Sequence, residues 1–143
     1  MEELPKKQIA SIIKELEEYY GAKGLELDYS FVKDAKNKIY LINKDYRKIK
    51  NMRINSMGLY FLNISKDLRL SIEGSQIIGK FATKNIYKIS DEELKDWLRG
   101  YELDSGEDSL GYKLMKNNDD FYGVGYMKEN KIRNFIPKYR RIK

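Results

Sequence analysis

The sequence predicts an α+β fold made of two abutting subdomains, residues 1–83 and 84–143, and three features carry that expectation. A helical period of apolar residues opens the chain, two hairpin-like pairs of strand runs follow, and a capped helix then leads into three more strand runs separated by turn residues. With 143 residues, 41% hydrophobic and 13% aromatic, the chain has apolar surface for one ordinary domain or two small ones packed together.

Pro5 suits a first helical turn, and Ile9, Ile12, Ile13, Leu16, Tyr19 and Tyr20 recur at three- and four-residue spacing until Gly21, which predicts an amphipathic helix. Leu25, Leu27, Tyr29 and Phe31 alternate with polar residues, DAKN supplies a turn, and Ile39 and Leu41 lie in a second strand, so a hairpin is expected. Asn43 is placed to cap a short helix carrying Tyr46, Ile49 and Met52. Residues 58–64 and 68–72, split by SKD, predict another hairpin, and EGSQIIGKFA a brief helix ending near Gly79.

Past a boundary placed near Thr83, Ile86, Tyr87 and Ile89 make a short strand. Ser90 and Glu93 then stand at capping-box spacing before Leu94, Trp97 and Leu98, and Gly100 is positioned to stop that helix. Residues 101–103, an acidic loop DSGEDS, and the runs 112–115, 121–127 and 132–136, parted by NNDD and KENK, predict a small antiparallel β unit with one helix. Trp97, Tyr19, Tyr20, Tyr46, Tyr60, Tyr87 and Tyr112 fall on apolar faces and read as packing residues, the tyrosines keeping a hydroxyl near water.

Composition narrows the chemistry. The chain has no Cys and no His, which removes disulfides, thiolate metal sites, the commonest zinc ligand and the usual general base. The acidic loop with Asp104, Glu107 and Asp108 lacks EF-hand spacing and reads as solvated, and no cofactor is expected. Apolar runs are too short for a membrane span or signal peptide, so a cytoplasmic protein is expected. The net charge of +6 is unevenly spread: residues 128–143 hold seven basic residues against Glu129, and residues 33–53 hold eight against Asp34 and Asp45. Such clustering marks either a basic face for a polyanion or a solvated Lys-rich surface.

WLRGYEL (residues 97–103), then GYKLM, then DFYGVGYMKENKIRNFIPKYRR, resembles the PUA-type domain of RsmF-like (Sun/Fmu) RNA cytosine-5 methyltransferases. The positions that match are Leu98, Arg99 and Gly100, then Gly123 and Gly125, then Asn134, Pro137, Lys138 and Arg141. The first half resembles the pre-PUA domain of a ribosome large-subunit assembly factor. These likenesses imply a pre-PUA-like α/β subdomain packed on a PUA-like small β-barrel that binds RNA. The methyltransferases add a catalytic domain with cysteine chemistry, whereas this chain has no Cys and no G-x-G-x-x-G loop after a strand, so no enzyme activity is expected.

Lys and Arg neutralise phosphates, while guanidinium planes and Tyr rings stack on unpaired bases. The residues expected to contact RNA are Arg99, Lys128, Lys131, Arg133, Asn134, Lys138, Tyr139, Arg140 and Arg141. In an extended strand Ile132, Asn134 and Ile136 share one face and Lys131, Arg133 and Phe135 the other, and Pro137 is expected to project residues 138–141 beyond the barrel rim. Asn134 is either a base-edge reader or a partner for strand-end backbone, and Gly123 and Gly125 serve either packing over Trp97 or close approach of RNA. The expected function is therefore non-catalytic binding of rRNA or tRNA in ribosome biogenesis or RNA modification, with ribosome assembly factors or an RNA methyltransferase as protein partners and no membrane. The alternative is a protein-interaction adaptor or accessory subunit of a separate RNA-modifying enzyme.

Overall fold

The computed structural model describes residues 1–44 and 58–143. The expected short helix with Tyr46, Ile49 and Met52, and residues 45–53 of the first basic cluster, lie outside the described residues. Among the described residues no helix is long and apolar enough to cross a membrane.

Helix α1 (Lys6–Tyr20) starts after Pro5, buries Ile12, Leu16 and Tyr20, and stops at Gly21, whose φ of 63° is the left-handed cap that glycine supplies. Five short strands form an antiparallel sheet in chain order: β1 (Glu2–Glu3), β2 (Ser30–Lys33), β3 (Lys38–Ile42), β4 (Leu59–Asn63) and β5 (Arg69–Leu70). Two features depart from the sequence reading. Strand β1 pairs with β2 at the sheet edge, an element too short to leave a periodic signal. Residues 25–29 form no strand; Leu25 is buried against the helix and its N–H bonds the Glu17 carboxylate, so that apolar spacing serves packing on α1.

Helix α2 (Ile72–Gly79) is capped by Ser71, whose Oγ accepts the Gly74 N–H at 2.8 Å. There follow β6 (Ile86–Lys88), α3 (Asp91–Leu98), β7 (Leu103–Asp104), β8 (Gly111–Asn117), β9 (Asp120–Lys128) and β10 (Lys131–Asn134). The α3 capping box is complete, with Glu93 N–H on Ser90 Oγ and Ser90 N–H on the Glu93 carboxylate. The second sheet runs β6-β8-β9-β10-β7 and curls into a half-barrel around α3. It is not purely antiparallel as expected, because β6 pairs parallel with β8; α3 and β7 lie between them in sequence and supply the crossover a parallel pair needs. Glu129 and Asn130 both take positive φ, the backbone of a tight primed hairpin turn that fixes β9 on β10.

The two faces of this second sheet bury different cores. Met115, Met127 and Ile132 pack with Trp97, Leu103 and Ile136 inside the half-barrel, while Leu114, Phe121 and Val124 join Leu16, Phe31, Phe61 and Ile78 of the first half. Phe121 and Val124 share a face although three residues apart, since β9 carries one more residue than β8 between the pairs Leu114–Val124 and Lys116–Phe121. Gly123, at φ 87°, absorbs that bulge. Its N–H donates to Ser75 Oγ of α2 at 2.9 Å, and Gly79 of the same helix lies so close under the Phe121 ring that no Cβ would fit. The chain around Thr83 is bonded to the end of α1, with Thr83 Oγ1 donating to the Gly21 carbonyl and the Asn85 amide to that of Tyr19. Tyr19 in turn donates its hydroxyl to the Tyr112 carbonyl at 2.7 Å.

Tyr20 is 1% exposed, and its hydroxyl has no hydrogen-bond partner among the described residues, so the expected wet hydroxyl is absent there. Burial pushes its pKa upward. The unfolded chain ionises Tyr20 near the ordinary value of 10 while the folded chain keeps the proton, so this group's stabilising contribution is complete below pH 10 and lost as pH climbs above it, at about 1.4 kcal/mol per pH unit. Tyr20→Phe removes both the orphan hydroxyl and this titration. Urea unfolding should show the variant as stable as wild type or more so at pH 7, by up to about 1–3 kcal/mol. Above pH 10 it should lose stability less steeply than wild type, the other tyrosines with raised pKa continuing to contribute.

Candidate nucleic-acid interface

The ladder register places Tyr112 of β8 opposite Tyr126 of β9, and Tyr126 opposite Arg133 of β10. Residues directly opposite in a sheet share a face, so these three form one row, which Lys128 opposite Lys131 extends toward the hairpin tip. The Tyr112 and Tyr126 rings meet edge to face at 5.0 Å, and Phe135, just beyond β10, lies 6.0 Å from Tyr112. Two guanidiniums attend the Phe135 ring, Arg69 at 4.6 Å and Arg133 at 5.3 Å from its centroid.

Arg69 comes from the other sheet. The β4–β5 hairpin forms the facing wall, and between it and the aromatic row lies a cleft of about 320 Å³ lined by Lys66, Asp67, Arg69, Tyr126, Arg133 and Phe135 among others. Past Tyr112 and Tyr126 the cleft continues into a groove of about 480 Å³ against Glu15 and Tyr19 of α1. The walls of the first part bring three cations against one carboxylate. Burial raises the Tyr112 phenol pKa and nearby Asp67 adds to the rise, so the ring stays neutral. Tyr60, behind Arg69, is likewise raised by burial, with the Arg69 charge opposing.

Of the residues expected to contact RNA, only Arg133 stands in this row, with Lys128 and Lys131 at its tip. Lys131 is ion-paired with Asp104, and that hydrogen bond raises the ammonium pKa. Arg99 is exposed at the end of α3, and Lys138 and Tyr139 are exposed on a 3-10 turn (Lys138–Arg140). Arg140 and Arg141 do not project beyond the rim as expected. Arg140 folds back onto Glu73 in the first turn of α2 at 2.7 and 2.9 Å, and this partner raises its pKa. Arg141 lies over Gly100, which has no Cβ to obstruct it, and donates Nε to the Ile136 carbonyl, while the Ile142 N–H reaches the Leu98 carbonyl.

Asn134 takes the second of its two roles. Its amide donates to the Trp97 and Tyr101 carbonyls at 2.8 and 3.0 Å and its Oδ1 accepts the Ile136 N–H, which ties the end of α3 to β10 and leaves no amide proton for a base. Gly125 is a packing glycine, pressed against Ile132 and Trp97, and Trp97 is fully buried with Nε1 donating to the Tyr122 carbonyl. Sequence reasoning passed over Tyr126, Phe135, Lys66 and Arg69. The KENK turn offered a signal for one of them, since a two-residue hairpin loop sets Tyr126 opposite Arg133.

A five-stranded sheet curled around one capped helix, with its outer face set against an α/β unit, defines the C-terminal part as a PUA-like half-barrel. Residues 84–142 match the family described as Methyltransferase RsmF PUA domain. This part of the chain is a PUA-type domain like that of RsmF, and such a domain suggests RNA binding. The match does not extend to residues 1–83, and no curated protein matches the chain.

The folded-back tail gives a stability test. Ile136, 5% exposed in the half-barrel core, should cost roughly 2–5 kcal/mol when replaced by Ala. Arg140→Ala opens a partly solvated ion pair and should cost at most about 1 kcal/mol. Thermal melts of the two variants should keep that order; equal, negligible shifts would mean a tail that does not pack.

Proposed function

We propose that this chain is a non-catalytic RNA-binding protein acting on rRNA or tRNA, cytoplasmic, in ribosome biogenesis or RNA modification. The observation that carries the reading is the PUA-type match over residues 84–142. The net charge of +6 and its concentration in residues 33–53 and 128–143 support it. Arg99, Lys128, Lys131, Arg133, Lys138, Tyr139 and Arg140 are the exposed members of the expected contact set. Lys131, Asn134, Arg140 and Arg141 already hold partners within the chain and enter RNA contact only by exchanging them or through their remaining donors.

If about five phosphates are neutralised, a fourfold rise in salt should weaken binding to structured RNA by roughly one hundred- to five hundredfold. Filter binding over a salt series measures this, and an affinity independent of salt would remove the electrostatic reading. The non-catalytic half of the proposal rests on a chain without Cys, since the cysteine chemistry of the related methyltransferases needs a thiolate nucleophile. Purified protein incubated with RNA and labelled S-adenosylmethionine should transfer no methyl group, and transfer by a preparation free of other enzymes would contradict it.

A further inference from the structure

We propose that the cleft between the β4–β5 hairpin and the β8–β9–β10 face is a pocket for one unpaired nucleotide of an RNA strand, built jointly by the two halves of the chain. The inference rests on the RNA-binding reading and adds a site and a ligand class to it. Three observations lead to it.

The first is size. About 320 Å³ between two walls lies at the small end of the range of small-molecule sites and suits one base with its ribose, whereas a duplex cannot enter it. The second is surface chemistry. Tyr126 and Phe135 are half-buried and Arg133 is exposed, so a flat apolar ring system entering the cleft meets aromatic rings and a guanidinium plane, the groups on which unpaired bases stack. The ring row follows from strand register and the Arg69–Phe135–Arg133 contacts, so the stacking surface is assembled before any ligand arrives. The third is polarity. Lys66, exposed on the hairpin, and the two arginines can take a phosphate, while Asp67 is an acceptor suited to a ribose 2′-hydroxyl or a base N–H. An apolar peptide would use the rings and strand three cations; a nucleotide uses both.

The test uses the full chain and two probes, a short single-stranded oligoribonucleotide carrying one 2-aminopurine and a blunt RNA duplex. Wild type should quench the 2-aminopurine fluorescence on binding, because the base stacks on the cleft rings. Tyr126→Leu should weaken the single-strand affinity by roughly five- to a hundredfold, the effect of losing one base-stacking ring. It should also reduce the quench, and leave duplex affinity within about twofold. Circular dichroism checks that the variant folds; Arg133→Glu and Lys66→Glu, at exposed positions, are measured beside it and should weaken the single strand more than the duplex. Single-strand affinity and quenching unchanged in the folded variants, with salt-dependent RNA binding intact, overturns the cleft while leaving the RNA-binding reading standing. Failure of wild type to bind either probe at low salt overturns both.

Discussion

The bond from the Gly123 N–H to the Ser75 hydroxyl holds the molecule in register. A bulge in an antiparallel ladder frees a backbone N–H, and one left buried without a partner costs about 1–3 kcal/mol. Ser75, fully buried in α2, accepts that proton and donates its own to the Ile72 carbonyl, so the irregularity in β9 is matched by a hydroxyl on the neighbouring helix. The bulge turns Phe121 onto the face already occupied by Val124, and Gly79 makes room for its ring. On the far side of the helix Gly74 lies against the Phe61 carbonyl, too close for any side chain. Helix α2 is thus clamped between the two sheets at small residues, with Ile78 in one core and Ile72 against the other. The distance between the β4–β5 hairpin and the Tyr112–Tyr126–Arg133 row, and so the width of the cleft, follows from that clamp.

The basic residues divide into those the fold uses and those it leaves open. Arg140 and Arg141 close the chain over α2 and the end of α3, and Lys131 reaches across the β10–β7 pair to Asp104. Each is a contact the sequence counted toward a binding tail. Arg69, which no charge run singled out, is placed on the Phe135 ring by the β4–β5 hairpin. Local charge density therefore located a basic region, and the geometry of the two sheets decided which cations face a cavity.

What was legible in the sequence was whatever local spacing determines. The capping box at Ser90 and Glu93, the stop at Gly100, the buried Trp97 and the strand runs of the second half all depend on residues within a few positions of one another. The parallel pairing of β6 was hidden because it depends on where a crossover lands, and the edge strand β1 because two residues carry no period. Asn134 could be narrowed to two roles but not decided, since its partners Trp97 and Tyr101 are brought to it only when α3 packs inside the curl. The cleft was invisible for the same reason on a larger scale: Arg69 and Phe135 belong to different sheets and meet only through the packing of α2 against β9.

That packing also sets what kind of contact each part of the surface can make. Arg69 and Arg133 already rest on Phe135, and Tyr112 on Tyr126, so little side-chain freedom remains to be lost when a ring stacks among them. Tyr139 is 87% exposed on the 3-10 turn and Lys138 beside it is exposed, so any ligand that meets them has to order both. On the proposed reading the Lys138 charge acts over distance, drawing a polyanion in at a rate that salt screens. On the same reading the packed side chains discriminate at contact, because a preassembled cleft accepts a flat unpaired base and excludes a stacked one. On the proposed reading the two halves of the chain are joined tightly for that reason: a pocket with one wall from each sheet keeps its shape only if α2 does not slide.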